Sequence, residues 1–389
     1  MARRIGVVTT ARSDYGVLMP LLRDLRCREG VELKIFAGGT HFAAVNGYSI
    51  AEVEREFPDC TIPIPCQILG DGPQDLALAM AEILAGFARA LFQHRPDILV
   101  VLGDRYDMLP AVLAATPYNI PIAHLSGGEV TEGVIDDAIR HAVTKLAHLH
   151  YPTNEEYGRR LKQLGEEEFR IIIAGEPGLD LFRDMSVKNK KEVFDEYELD
   201  PSRPVSILTY HPETIGYENV SKHIKEVLAA ADLMVDTQVL FTHPNSDTGS
   251  SHIVRAIHEF AKDKKDCRVV PSLGKQRYFQ LLHHVDCLVG NSSSGIIEAA
   301  SVLLPAVNIG NRQKGRIAPR NVINVPIDRK AIYDAWRQAI SPCFRKCLVG
   351  LVNPYGDGRS APKIGEHLET VEISDNLIRK RFIDHSPEK

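Results

Sequence analysis

Several things are missing from this 389-residue chain, and each absence excludes something. There is no excess of positive charge: 46 Lys and Arg stand against 51 Asp and Glu, a net charge of −5. A protein that coats nucleic acid needs clustered cations to neutralise phosphates, so that class is set aside. There is no long apolar run. The stretch Ile98-Leu99-Val100-Val101-Leu102 is far short of the ~20 residues of a membrane span, and Ile5-Gly6-Val7-Val8 after Arg3-Arg4 is too short for a signal-peptide core. No Cys-x-x-Cys pair occurs among the seven cysteines, and the spacing of Cys343 and Cys347 stands alone. Free thiols in a reducing, cytoplasmic setting are expected, without a zinc site. No Gly-x-Gly-x-x-Gly follows the first apolar run, so a dinucleotide site has no support. Gly310-Asn311-Arg312-Gln313-Lys314-Gly315 has the glycine spacing of a phosphate-cradling loop, but Arg316-Ile317 replace the Lys and Ser/Thr that such a loop requires. No Asp-x-Asp occurs either. A diphosphate here would be neutralised by arginine, histidine and helix ends, with neither metal nor cofactor expected.

Apolar runs of four to six residues alternate with amphipathic stretches of ten to twenty. Arg4–Thr9, Val31–Ala37, Ile98–Leu102, Pro121–Leu125 and Arg170–Ile173 read as strands. Tyr15–Cys27, Pro73–Gln93, Tyr106–Tyr118 and Val134–Ala147 read as helices. The Pro73–Gln93 stretch spaces Leu76, Met80, Ile83, Leu84, Phe87 and Leu91 as one buried helical face. Consecutive apolar residues in Ile98–Leu102 fit a strand covered on both faces. The pattern lapses near Met185–Arg203 and a second series follows. Its strands are Val205–Tyr210, Gln238–Phe241, Arg268–Val270, Cys287–Val289 and Ala306–Ile309, and its helices are Tyr217–Val235, Ser250–Asp263, Gln276–His284 and Gly295–Leu303. The expected architecture is α/β, two Rossmann-like doubly wound domains facing a cleft. The expected divisions are 1–185, 204–365, and a C-terminal helix and charged tail over 366–389.

In open parallel sheets, ligands bind beyond the carboxyl ends of strands, and polar clusters fall there repeatedly. Thr10-Ala11-Arg12-Ser13-Asp14-Tyr15-Gly16 follows the first strand. Arg12 is either an anion contact at a helix start or a surface arginine beside an N-cap at Ser13. Gly103-Asp104-Arg105 follows Ile98–Leu102, and Asp104 could serve as a cap or as an acid–base group. Ser126-Gly127-Gly128-Glu129 leads to Asp136-Asp137, Arg140 and His141. So many ionisable groups exceed what a cap requires, and neighbouring carboxylates can be split into an acid and a base. In the second half, His211-Pro212-Glu213-Thr214 and Thr242-His243-Pro244-Asn245 close two strands. Gly290-Asn291-Ser292-Ser293-Ser294-Gly295 closes a third, with Glu298 one turn on. Three hydroxyls and a glycine at a helix start suit a phosphate.

At these motifs the chain resembles the hydrolysing UDP-N-acetylglucosamine 2-epimerases of the branch that feeds nonulosonate synthesis. The resemblance runs from Arg4 to about Asn324 in one order. It implies the two-domain type-B glycosyltransferase fold and elimination of UDP to a 2-acetamidoglucal, followed by water addition that gives free N-acetylmannosamine. It also implies Asp104, Glu129 and Asp136 as the carboxylates handling the C2 proton, the cationic sugar and the water, with His211 and Arg12 at the diphosphate. Ser292, Ser293, Ser294 and Gly295 would bind phosphate and Glu298 the ribose. Asp137, Arg140, His243 and Asn245 would be further substrate contacts. The pattern departs at Ser126, where many relatives carry a histidine. UDP-GlcNAc is the expected substrate, and a UDP-2,4-diacetamido-2,4,6-trideoxyhexose is the alternative. A retaining glycosyltransferase and a non-catalytic nucleotide-sugar sensor are the other classes. A dimer or tetramer is implied by resemblance alone.

Overall fold

A computed structural model describes residues 2–43, 48–68, 70, 72–213, 217–245 and 247–384. Thr214 of the His211 cluster and the last five residues of the expected tail lie outside them. The chain divides into two compact units: Met1–Glu129, Asp136–Arg183 and Tyr355–Lys389 form the first, and Val130–Ile135 with Asp184–Pro354 the second.

Among the described residues each unit holds a six-stranded parallel sheet. The first contains β1 (Arg3–Thr9), β2 (Val31–Ala37), β3 (Thr61–Pro63), β4 (Ile98–Leu102), β5 (Ile122–Leu125) and β6 (Leu149–Tyr151), in the order β3-β2-β1-β4-β5-β6. The second contains β7 (Val205–Thr209), β8 (Gln238–Thr242), β9 (Cys267–Val270), β10 (Cys287–Gly290), β11 (Ala306–Ile309) and β12 (Val322–Val325), in the order β12-β11-β10-β7-β8-β9. Both reverse direction of winding at the first strand of the unit, so the polar clusters after β1, β4 and β5, and after β7, β8, β10 and β11, fall on neighbouring strand ends.

The period-2 pattern of β4 explains its apolar run. Ile98 and Val100 join one core with Ile5, Val7 and Leu18, while Leu99 and Val101 join the other with Val8, Phe36 and Phe87. Both faces are dry, so no polar residue is tolerated. In the second unit the lone Trp336 is fully buried among Val227, Phe241 and Ile332, and its indole Nε1 donates to Ser206 Oγ at 2.9 Å.

Three expectations change. Arg170–Ile173 is not a strand: Glu168–Arg170 is a 3-10 turn, and Ile171 makes a single bridge to His150, with the Arg170 guanidinium donating to the carbonyls of His148, Asn376 and Leu377. The helix expected over Tyr106–Tyr118 is helical only over Leu109–Ala115, followed by a 3-10 turn. The chain after 354 belongs to the first unit, not to a domain ending at 365. Ala361, Ile364 and Leu368 of the Ser360–Thr370 helix enter the first core, and Arg28 ion-pairs with Glu369 at 2.9 Å. All seven cysteines are free, with Cys66 and Cys287 buried and Cys27, Cys343 and Cys347 exposed. Among the described residues no helix is long and apolar enough to cross a membrane.

Burial, not the ion pair, holds this returning helix. Leu368→Ala is expected to lower the unfolding free energy of the chain by about 2–5 kcal/mol. Glu369→Gln, on a partly solvated pair, should change it by less than about 1 kcal/mol. Urea unfolding of the two variants decides the order.

Candidate active site

In the first unit the site grows from the carboxyl ends of β1, β4 and β5. The helix after β1 starts at Arg12 with Ala11 as its N-cap. Alanine has no side chain to cap with, and Asp14 does the work: its carboxylate accepts from the backbone N–H of Thr10 and of Ala11, both at 2.7 Å. Ser13 is therefore not the cap. Arg12 lies in the first helical turn with its guanidinium on Glu52 at 2.9 Å.

Beneath it lies a cluster that the sequence did not reveal. Thr10 Oγ lies 3.1 Å from Asp14 and 3.0 Å from Asp107, and Arg105 grips Asp107 through Nε at 3.1 Å. Burial pushes both carboxyls, Asp14 and Asp107, above the usual range, and Arg105 pulls both back. Asp107 falls within the helix expected over Tyr106–Tyr118 but lies before its observed start at Leu109.

Asp104 does not cap the following helix, whose first residue is Leu109. Its carboxylate pairs with Arg140 Nη2. Arg140 is only 1% exposed, and its Nη1 donates to Asp137 Oδ1 and to the backbone carbonyl of Glu129, both at 3.0 Å. One guanidinium thus collects the loops after β4 and β5 and the first turn of the Asp136–Leu146 helix, which carries Asp136 and Asp137. His141 Nε2 lies 3.6 Å from Asp137, and burial lowers its pKa. Glu129 itself is 2% exposed.

The glycines before Glu129 serve packing. Gly128 has φ +82°, and a Cβ there would strike the carbonyl of Tyr157. Ser126 is stranger: it has φ +59° without being glycine, and its hydroxyl donates to buried Glu176 at 3.1 Å. Nearby His124 donates from Nε2 to Gly103 O at 2.8 Å and accepts from Thr144 Oγ1 at Nδ1. Burial pushes its pKa down to about 3, so the ring is neutral and its tautomer fixed.

In the second unit a neutral hub does the collecting. Asn291, fully buried after β10, accepts from His211 N at 2.7 Å and donates to His211 O at 2.8 Å. Its own carbonyl accepts from Gln313 Nε2 at 2.9 Å and Arg312 Nη1 at 3.3 Å. Asn245 N donates to His211 Nδ1 at 3.2 Å, so a neutral His211 carries its proton on Nε2. Glu213 Oε1 accepts from Asn311 N at 2.6 Å. His243, expected beside Asn245, instead meets His258, Nε2 to Nε2 at 3.0 Å. Ser292 caps a 3-10 turn over Ser293–Gly295, and the helix beyond covers only Glu298–Ser301. A helix over Gly295–Leu303 was expected, so less dipole is available than that length would supply. Ser294 Oγ accepts from Tyr278 at 2.6 Å, which leaves its own proton to donate. Glu298 pairs with Lys275 at 2.5 Å. The structure thus brings Arg12, Asp104, Glu129, Asp136, Asp137 and Arg140 to the first unit's strand ends and His211, Asn245 and Ser292–Glu298 to the second's.

Two parallel sheets, with carboxylates at one unit's strand ends and hydroxyls and histidine at the other's, define a two-unit α/β protein of the doubly wound type. Residues 23–369 match the family model described as UDP-N-acetylglucosamine 2-epimerase, and the chain belongs to that family. It is a hydrolysing UDP-sugar 2-epimerase by class. It is 34% identical to a Legionella pneumophila UDP-N,N'-diacetylbacillosamine 2-epimerase (hydrolyzing), over 98% of this chain and 99% of that one. It is 34% identical to a Campylobacter jejuni GDP/UDP-N,N'-diacetylbacillosamine 2-epimerase (hydrolyzing) over the same shares. A UDP-N-acetylglucosamine 2-epimerase of Neisseria meningitidis serogroup B is 30% identical over 98% of this chain and 99% of that one. Among solved structures, the UDP-GlcNAc 2-epimerase from Neisseria meningitidis bound to UDP-GlcNAc matches with a TM-score of 0.79 at 18% identity, covering 94% of this chain and 99% of that one. That likeness is one of fold.

The conformation of Ser126 separates its two roles. Ser126→Ala keeps the left-handed backbone and removes a hydrogen bond to a buried carboxylate, so a loss of about 1.5–3 kcal/mol is expected. Ser126→Gly removes the same bond but relieves the backbone, and should be more stable than Ser126→Ala by about 1 kcal/mol. Denaturant midpoints of the three proteins test this. Equal losses would show that the backbone there is unstrained.

Proposed function

We propose that this enzyme acts on a UDP-2,4-diacetamido-2,4,6-trideoxyhexose of the UDP-N,N'-diacetylbacillosamine type, releasing UDP and the free 2-epimer of the sugar. The observation that carries this reading is that both 34%-identical relatives, aligned over nearly their whole length, bear that substrate in their names. UDP-GlcNAc, the first expectation from the sequence, is named for a relative at 30% and becomes the second reading.

The chemistry constrains the roles. The C2 proton is not activated by a carbonyl, so loss of the anomeric diphosphate leads. The C1–O bond breaks, positive charge develops on C1 and the ring oxygen, and the C2 proton goes to a carboxylate as the 2-acetamidoglucal forms. Water then adds its oxygen to C1 while a proton reaches C2 from the opposite face. We assign the carboxylates to Asp104, Glu129 and Asp136. Asp136 is assigned by the family resemblance, and Asp137, paired with Arg140 and near His141, is a positioning contact beside it. Arg140, buried with its donors on protein acceptors, acts as a positioning residue. His211, with its proton on Nε2, donates to the departing diphosphate, and Arg12 reaches the same group by releasing Glu52. Ser293, Ser294 and Gly295 hold phosphate, and Glu298 accepts from the ribose hydroxyls. His243, engaged with His258, sits at the margin of this set.

Purified protein incubated in D₂O with each sugar nucleotide tests the substrate. Faster UDP release from the 2,4-diacetamido substrate, with one deuterium at C2 of the product, is expected. Preference for UDP-GlcNAc would establish the second reading, and no UDP from either would refute both. Asp104→Asn and Glu129→Gln should each lower kcat by roughly 10²-fold or more, the scale of acid–base groups. Near-normal turnover would remove that residue from the mechanism.

A further inference from the structure

We infer that Lys380 is a positioning residue for the reaction: its ammonium closes the C-terminal end of the Asp136–Leu146 helix against Glu166 and so fixes where that helix presents Asp136, Asp137 and Arg140. This rests on the roles proposed above for those residues.

The last carbonyls of a helix lack intrahelical donors and form its negative end. Here they are met by one side chain from far along the chain. Lys380 Nζ donates to the carbonyls of Thr144 at 2.9 Å, Lys145 at 3.0 Å and Ala147 at 2.7 Å. It also pairs with Glu166 Oε2 at 2.6 Å. Glu166 is 1% exposed and takes Lys145 at 2.7 Å and His150 Nε2 at 3.0 Å as well. Arg170 brings the segment in, donating to the carbonyls of Leu377 and Asn376, each at 2.7 Å. An eleven-residue helix is about 16 Å of nearly rigid rod, so anchoring one end sets the other. A second path leaves the same turn. Thr144 Oγ1 meets His124 Nδ1, and His124 Nε2 holds the carbonyl of Gly103, the residue before Asp104.

The surroundings make the lysine the group that titrates. Those facing it are Glu166, Lys145, Arg170, His150, His148 and His124. Burial holds His124 near 3 and His148 near 4 and lowers His150, so all three are neutral at assay pH. The hydrogen bond from His150, with Lys145 and Lys380, holds Glu166 at about 2 despite its burial. Burial pushes Lys380 itself down to about 8. An unfolded lysine keeps its proton to about 10.4. Between those values the unfolded state binds more protons, and this group's contribution to stability rises with pH. Loss of turnover near pH 8 therefore does not come from unfolding through Lys380.

The test uses the full chain. Wild-type kcat is expected to fall along an alkaline limb centred near pH 8. Lys380→Arg, whose guanidinium keeps its charge, should move that limb up by at least about one pH unit. Lys380→Met should lower kcat on the order of 10-fold at neutral pH with KM nearly unchanged, the scale of a small misplacement of catalytic groups. An alkaline limb at the same pH in Lys380→Arg, or normal kcat in folded Lys380→Met, overturns the inference. A substrate-free readout keeps it separate from the functional reading. Backbone amide shifts of Asp136–His141, followed by NMR, should titrate near pH 8 in wild type and not in Lys380→Arg. Flat shifts in wild type overturn the inference, whatever sugar the enzyme takes.

Discussion

The guanidinium of Arg140 is the interaction on which the first unit's site depends. A cation this deeply buried is tolerated only where its attraction to fixed acceptors offsets lost hydration. Here the acceptors are Asp104, Asp137 and the carbonyl of Glu129. Because all three are needed, the loops after β4 and β5 and the first turn of the Asp136–Leu146 helix cannot drift independently. Removing the cation would leave two half-buried carboxylates and a backbone carbonyl without their shared partner, so this geometry and the local stability are linked. The same helix is held at its far end by a second, half-buried cation, Lys380. A rod gripped by charge at both ends is a stiff support for acid–base groups.

The second unit reaches a comparable order with neutral groups. Asn291 uses its amide oxygen, its amide nitrogen and its backbone carbonyl to fix His211 and the Arg312–Gln313 segment. Amide hydrogen bonds cost less desolvation than ion pairs. They also leave the strand ends after β7 and β10 without a competing fixed charge on Asn291. On the proposed function, that suits a diphosphate, which brings negative charge of its own and is best met by oriented donors such as Ser294 Oγ and His211 Nε2.

How much of this was legible in the sequence follows the range of each interaction. The run Ile98–Leu102 and the spacing of Pro73–Gln93 are local patterns, and their bounds are the observed ones. The three-residue strands Thr61–Pro63 and Leu149–Tyr151 are too short to carry a period, and each owes its form to its neighbour in the sheet. The motifs fall at strand ends, where the topology of a parallel sheet puts ligands. The partners inside them stayed hidden. Arg140 stands one turn from Asp136 and reads as a substrate contact, whereas its main acceptor, Asp104, lies 36 residues earlier. Asp14 reads as an ordinary polar residue until Thr10 and Asp107 are seen against it. Nothing in the local sequence marks Lys380 as the cap of a helix ending at Leu146.

Charge is also arranged in sets, which explains why the net charge of −5 says little about the site. Asp14 and Asp107 lie on opposite sides of the Thr10 hydroxyl, which has one proton and can donate to only one of them. Burial pushes both carboxyls up, and Arg105 is the cation that draws both back. Glu166 is answered by Lys145 and Lys380. Both sets are built from partners within the first unit. Nearer the strand ends the pairs are more exposed, as with Arg12 on Glu52 in the first unit, and the second unit presents hydroxyls such as Ser294 Oγ. A few such groups decide whether the anomeric C–O bond is drawn apart, and the large number of charges elsewhere serves to keep them in place.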